Sequence, residues 1–230
     1  MKRRLLFALL LAVPALSIAA PPKPYTAEYE VRYDGTIQMH GTATITFAAL
    51  GDDRYELHTS LTAIAGISRD ERSTIRWTGD QTETIDYAFR QQMGWKKRER
   101  SVHVDAAAGR VASTDKSHAY SIRYQPGVLD QQAVTAALMQ DVGAKKTGDL
   151  VYAVVKRGDL ESQRYRQSAT EQLTTAIGEQ RAIRVERVRE SAGGRNTTIW
   201  LGVDQNYVPL KLLQTEADGE TTELLIKSIR

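Results

Sequence analysis

Apolar and polar residues alternate with a period of two from Tyr25 onward, and this pattern constrains the chain more than any other. Tyr25, Ala27, Tyr29, Val31 and Tyr33 share one parity, while Thr26, Glu28, Glu30, Arg32 and Asp34 share the other. Successive side chains of a strand point to opposite faces, so the pattern specifies a half-buried strand with one face against a core. Asp34-Gly35 supplies a hairpin turn. The next strand then carries Ile37, Met39, Ala43, Ile45 and Phe47 inward and Gln38, His40, Thr42, Thr44 and Thr46 outward. Gly41, on the apolar face, reads as a bulge or bend. Gly51-Asp52-Asp53 turns the chain into a third strand with Tyr55, Leu57, Leu61 and Ala63 inward.

The hairpin rhythm continues through Ile75-Arg76-Trp77, Gly79-Asp80 and the alternating Ile85, Tyr87 and Phe89 to Pro126-Gly127. Beyond Gly148-Asp149 it resumes from Leu150 to Ile229, with Gly158-Asp159, Gly193-Gly194 and Asp218-Gly219 as turns. Only residues 128–142 break it: Val134, Ala137, Leu138 and Val142 recur at helical spacing, with Asp130 near the start and Gly143 as a C-cap candidate. One apolar stripe and one polar face predict a helix lying against a sheet. The fold expected is mainly β, an antiparallel curved sheet with one packed helix at about 128–142. Open barrel, closed barrel and sandwich all remain compatible. Ile199-Trp200-Leu201 is continuously apolar, which predicts a strand covered on both faces.

The amino terminus bounds where such a domain works. Lys2-Arg3-Arg4, an apolar run from Leu5 to Leu16 and Ser17-Ile18-Ala19 before Ala20 match the three parts of a secretory signal peptide. The run is short for a membrane span and contains Pro14. Residues 1–20 are therefore expected to be a cleaved leader, and residues 21–230 a single exported β-rich domain in the periplasm. Thirty-one basic residues less Lys2, Arg3 and Arg4 leave 28, against 28 acidic ones. That balance excludes a general nucleic-acid binder, which needs surplus positive charge. The sequence contains no Cys, so neither a disulfide framework nor a lipidated cysteine is available. The mature chain has no second apolar stretch long enough to span a bilayer.

The last third carries a distinctive string: Thr197-Thr198-Ile199-Trp200-Leu201, Asp204, Tyr207-Val208-Pro209-Leu210-Lys211, Gln214-Thr215-Glu216 and Asp218-Gly219. With Tyr25-Thr26-Ala27-Glu28-Tyr29-Glu30-Val31 and Leu129-Asp130, it resembles a bacterial family of exported proteins, domain of unknown function 3108. The resemblance implies a periplasmic β-rich domain with no established activity and no catalytic residues to carry over.

Chemistry-bearing patterns are sparse. His40, His58, His103 and His118 lack the close spacing of a zinc helix or finger, so no metal site and no cofactor is expected. There is no Gly-x-Ser-x-Gly elbow. Glu28, Glu30 and Glu56 alternate onto the solvent face, which suits surface charge better than paired carboxylate catalysis. Gly193-Gly194 lacks the helix and the Lys-Ser/Thr of a phosphate loop, and Asn196-Thr197-Thr198 has no role in a bacterial export context. The run Lys96-Lys97-Arg98-Glu99-Arg100 is a solvated strand face, or else a patch for anionic lipid or polysaccharide.

No catalytic residue is singled out, so a non-enzymatic reading leads. The chain is expected to bind or carry an apolar or amphipathic, lipid-like ligand or envelope component. An envelope assembly partner acting through an edge strand is the alternative, and an envelope hydrolase ranks third. The candidate cavity wall is the inward face of the first strands: Tyr29, Val31, Tyr33, Ile37, Met39, Phe47, Tyr55 and Leu57. The competing interpretation of this aromatic-rich face is ordinary core. Oligomeric state stays open.

Overall fold

The computed structural model describes residues 21–189 and 193–230, so the expected leader lies outside the described residues. Eight strands come first: β1 (Tyr25–Asp34), β2 (Met39–Gly51), β3 (Arg54–Ala63), β4 (Ile67–Thr78), β5 (Gln81–Met93), β6 (Lys96–Asp105), β7 (Arg110–Asp115) and β8 (His118–Arg123). After the helix α1 (Ala133–Gly143) come β9 (Leu150–Lys156), β10 (Asp159–Thr175), β11 (Gly178–Val188), β12 (Asn196–Gly202), β13 (Pro209–Thr215) and β14 (Thr221–Ile229). All join one antiparallel sheet in the order β8-β7-β6-β5-β4-β3-β2-β1-β14-β13-β12-β11-β10-β9. It is two runs of consecutive hairpins, fused where β1 pairs with β14 and Tyr29 faces Ile226.

The first and last strands in this order, β8 and β9, do not pair with each other, so the sheet is not closed into a barrel. Its ends meet through side chains instead. The Ser113 hydroxyl of β7 donates to the Arg157 carbonyl after β9 at 2.5 Å. Val102 and Val111 share an apolar cluster with Tyr87, Phe89, Val128 and Val155. This overlap joins the ends by side-chain packing and leaves the backbone of β8 paired only to β7.

Helix α1 occupies the interior of the rolled sheet. From Ala133 to Val142 every residue except Thr135 is buried, so the expected polar face is absent. A helix apolar nearly all round belongs inside a core rather than on its surface. Its two buried polar residues are bonded: Gln140 accepts from Thr82 at 2.8 Å, and Asp141 accepts from Tyr152 at 2.8 Å. The helix begins at Ala133 rather than near 128, because Leu129 is extended and bridges Val154 of β9. Asp130 Oδ1 accepts from the amides of Gln132 and Ala133 at 2.7 and 2.9 Å, a side-chain cap at the positive helix end. Gly143 is helical and not the left-handed cap. Lys145 has that conformation, at φ 57°. A Cβ on Gly143 would lie 3.0 Å from the Tyr207 ring, so glycine here serves close packing.

Parity holds along β1 and through most of β2. Tyr25, Ala27, Tyr29, Val31, Ala43, Ile45 and Phe47 are buried in one cluster with α1. Gly41 pairs with Val31 and Ala63 in unbroken register, so it is not a bulge. A Cβ there would fall 2.4 Å from the Thr62 carbonyl oxygen, which is why the position is glycine. In β12, Ile199 and Leu201 are buried whereas Trp200 is only partly covered. One face of that strand therefore meets the core, not both. Trp200 Nε1 donates to Glu171 at 2.5 Å, and Lys211 Nζ lies 5.1 Å from its ring centre.

Candidate functional site

A pocket of about 220 Å³ with a mixed polar and apolar lining opens where the two ends of the sheet meet. β5 contributes Tyr87, β6 contributes Arg98, Arg100, Ser101 and Val102, and β7 contributes Ser113, Thr114 and Asp115. Asp130 and Gln131 before α1, and Val155 to Arg157 at the β9–β10 turn, complete the lining. Hairpin geometry explains the clustering. On β6, Arg98 and Arg100 share one parity, and Arg100 pairs in register with Asp115 of β7. Arg157 arrives from the far end of the sheet with φ 57°, a left-handed conformation that costs a non-glycine residue about 1–2 kcal/mol.

Three guanidinium groups surround one carboxylate. Arg157 Nε donates to Asp115 Oδ2 at 3.0 Å. Arg98 Nη2 lies 3.6 Å from Oδ2, and Arg100 Nε lies 3.6 Å from Oδ1, both too long for good hydrogen bonds. The Nε atoms of Arg98 and Arg100 and Asp115 Oδ1 are buried without a hydrogen-bond partner. Burial alone pushes the Asp115 carboxyl up, but the Arg157 hydrogen bond and the charges of Arg98 and Arg100 outweigh it and hold it below the usual carboxylate range. Burial and the like charge of Arg98 lower Arg100. Phe89 stacks beneath Arg100, whose guanidinium carbon is 4.9 Å from the ring centre. Lys156 is paired with Glu161 at 2.9 Å and adds little. Three guanidinium groups thus line the pocket against two carboxylates, Asp115 and Asp130, which leaves one arginine charge in surplus at neutral pH.

Asp130 at the pocket floor is fully buried, and burial pushes its carboxyl up to about 6. A perturbed acid in a pocket invites a catalytic reading. Its bonding argues otherwise. Oδ1 holds two backbone amides, and Oδ2 accepts from the Ser73 and Thr84 hydroxyls at 2.5 and 2.8 Å. Both oxygens are fully engaged in holding α1 to β4 and β5. Beside it, Glu71 accepts from Tyr87 at 2.6 Å and pairs with Arg69. The pocket hydroxyls are also committed: Ser113 to Arg157, and Ser101 with Thr114 at 2.8 Å. No histidine lines it. The arrangement places guanidinium groups, the best geometric match for a planar or tetrahedral oxyanion, around hydroxyls already committed to protein partners.

The residues expected to wall a cavity do not gather around this pocket. Tyr29, Val31, Phe47 and Leu57 are buried in the cluster that contains α1, so the helix fills the space in front of them. Tyr29 donates to the Pro209 carbonyl at 2.6 Å, which satisfies its hydroxyl inside the core. Tyr55 is half-buried and stacks on Phe47, with ring centres 5.3 Å apart. Tyr33 donates to Glu220 at the end of β1. Met39 is half-buried at the start of β2. Ile37 is 67% exposed in the β1–β2 connection, because the turn runs to residue 38 and the inward phase begins only after it. His58 bonds Asp70 and His103 bonds Asp86, at 2.8 and 2.6 Å. Among the described residues no group of three or more His, Cys, Asp or Glu is placed to hold a metal ion. Among them too, no helix is long and apolar enough to cross a membrane.

The sequence singled out Lys96 to Arg100, which does contribute Arg98 and Arg100. Asp115 and Arg157 carry no such signal, since only the rolling of the sheet brings them together.

Comparison with known proteins agrees with the architecture. Residues 28–225 match the family described as Protein of unknown function (DUF3108). Curated proteins give no match. A solved structure, titled a beta-barrel-like protein of domain of unknown function DUF1849 from Brucella abortus, is similar at TM-score 0.60 and 9% identity. That likeness covers 91% of this chain and 98% of the other. It is a likeness of fold.

Proposed function

The chain belongs to the DUF3108 family, and from that premise we propose that it is a non-enzymatic binding module of the bacterial periplasm for an amphipathic ligand with an anionic end. The observation that carries this reading is the clustering of three guanidinium groups around Asp115, with the buried Arg98 and Arg100 Nε–H groups lacking acceptors. A phosphate or carboxylate group supplies the acceptors that planar guanidinium groups fit best. Size limits what enters. Pockets that engulf a drug-sized molecule run to about 300–1,000 Å³. At about 220 Å³ this one takes a head group, and an attached apolar chain would lie outside it. Val102 and Val155 on the lining offer that chain its first apolar contacts.

The test is native mass spectrometry of protein recovered from the envelope of its own host, beside an Arg98→Gln/Arg100→Gln variant. An anionic amphiphile retained by the first and lost from the second supports the proposal. Protein that carries no small molecule and shows no response to inorganic phosphate removes it. One observation favours a second reading, an assembly partner. Among the described residues the outer edge of β8 is unpaired, ready for strand addition. A stoichiometric protein partner in the same spectra would select that reading.

A further inference from the structure

Beyond ligand binding, we propose that one rim of the sheet docks on an anionic lipid bilayer, with Trp95 as its aromatic anchor. Six large apolar side chains are exposed among the described residues, and four of them occupy this rim: Ile37, Ile64, Met93 and Trp95, at 67, 66, 47 and 90% exposure. Antiparallel topology places them together. Turns between β1 and β2, β3 and β4, and β5 and β6 all fall at the same end of consecutive hairpins. The register aligns the last two pairs closely: Ala63 faces Ile67, Ile67 faces Met93, and Met93 faces Lys96.

Charge selects the occupant. Lys96 and Lys97 directly follow Trp95, are exposed, and have no ion-pair partner among the described residues. Lys116, in the β7–β8 turn, joins them, its amide bonded to the Glu99 carbonyl at 3.0 Å. The nearby Glu99 carboxylate is offset by Arg90 at 3.9 Å. Ile37 lies at the same end but beside Asp34 and Glu220, with Thr36 bonded to Glu220. The contact is therefore centred on Ile64, Met93, Trp95, Lys96 and Lys97, at a distance of several strands from the acidic flank. Separate apolar tips flanked on one side by unpaired lysines do not resemble a protein interface, whose core is depleted of Lys. They do suit a bilayer surface. There an indole rests at head-group depth, and lysines reach phosphates while their stems cover apolar surface. Each lysine near an anionic surface is worth about a five-fold change in partitioning.

Co-sedimentation with vesicles tests this, comparing phosphatidylcholine alone with phosphatidylcholine and phosphatidylglycerol in equal parts. Every protein is compared at the same amino terminus, since residues 1–20 are themselves apolar. The parent chain should bind the anionic vesicles and release with added salt. Trp95→Ser and Lys96→Glu/Lys97→Glu should each weaken partitioning by about ten-fold or more. All three side chains are exposed, so thermal midpoints should not move. Brominated lipid should quench the parent more than Trp95→Ser, in which only Trp77 and Trp200 remain. Equal binding to both vesicle types, binding unchanged by either variant, or a dimer that dissociates on Trp95→Ser without any vesicle binding would each overturn the proposal. Inorganic phosphate reads the pocket without any bilayer, and Trp95→Ser should leave the phosphate response of the pocket intact, so failure here is distinguishable from failure of the ligand reading.

Discussion

Thr84 and Asp130 are bonded to each other twice. The Thr84 hydroxyl donates to Asp130 Oδ2 at 2.8 Å and accepts from the Asp130 amide at 2.7 Å. This reciprocal pair joins β5 to the residues that open α1. It fixes the entry of the chain into the rolled sheet at a point where no water can substitute, since both residues are fully buried. The polar groups at the base of the helix thus do structural work that apolar packing alone would leave unspecified.

The pair makes stability depend on pH in a defined direction. Burial raises the Asp130 carboxyl from 3.8 to about 6, so the folded state favours the protonated acid. A raised folded value means the contribution is complete below about pH 4 and is lost as pH rises through 6. A shift of that size corresponds to about 3 kcal/mol. Between pH 4.5 and 7 the urea midpoint should fall as pH rises, and Asp130→Asn should flatten that slope. Below pH 4 the sign reverses, because Asp70, Asp115 and Glu161 have lowered values and lose their stabilising charge there. An identical slope in Asp130→Asn between pH 4.5 and 7 would remove Asp130 as its source.

Strand β12 separates two neighbours that look alike in sequence. Leu201 is fully buried, and truncation to Ala should cost about 2–5 kcal/mol. Trp200 is partly covered and held by Glu171 and Lys211, so its truncation should cost only about 1–2 kcal/mol. Denaturant titration of the two variants gives the ranking, and a Trp200 cost equal to or above that of Leu201 would contradict the face assignment.

Much of this fold is legible in the sequence because the strands are successive hairpins, each with its turn residues and its own parity. β1 is the plainest case, with Tyr25, Ala27, Tyr29 and Val31 all on the buried side. What failed depends on long-range packing. The start of α1 was misplaced because Leu129 gains a partner in Val154, which no local pattern announces. The polar face of the helix proved to be buried because Gln140 and Asp141 find bonding partners on β5 and β9. Gly41 looked like a bulge, whereas the close approach of β3 is what requires it. The pocket was half visible: Arg98 and Arg100 lie in a basic run, but Asp115 and Arg157 meet them only once the sheet has rolled.

Whether the inward face of β1 and β2 is solid or hollow has a direct mechanical test. Ala43 is 3% exposed within the cluster that includes α1. Ala43→Trp should overpack it and cost about 1–3 kcal/mol in a denaturant titration. A fluorescent fatty-acid probe should bind the parent chain and Ala43→Trp alike, since the pocket at the β6–β9 seam is elsewhere. Probe binding abolished by Ala43→Trp at unchanged stability would instead place a cavity in front of β2.

The last prediction turns on the single carboxylate among three arginines. Asp115 occupies part of the positive field that an anionic ligand would use, as a tethered competitor. Asp115→Asn keeps the shape and removes the charge. Loss of the charge assistance to the Arg157 hydrogen bond and of the favourable charge contacts should lower stability by about 1–3 kcal/mol. At the same time affinity for inorganic phosphate should rise roughly ten-fold, since the nearest carboxylate no longer competes for the three guanidinium groups. Arg100→Gln should move affinity the other way. Titration calorimetry reads affinity, and phosphate-dependent shifts of the thermal midpoint give an independent check through linkage. A drop in phosphate affinity on Asp115→Asn would mean that the carboxylate orients the arginines for the ligand rather than competing with it. No phosphate affinity in either the parent or Asp115→Asn would make the pocket an ion-pair network that serves the fold.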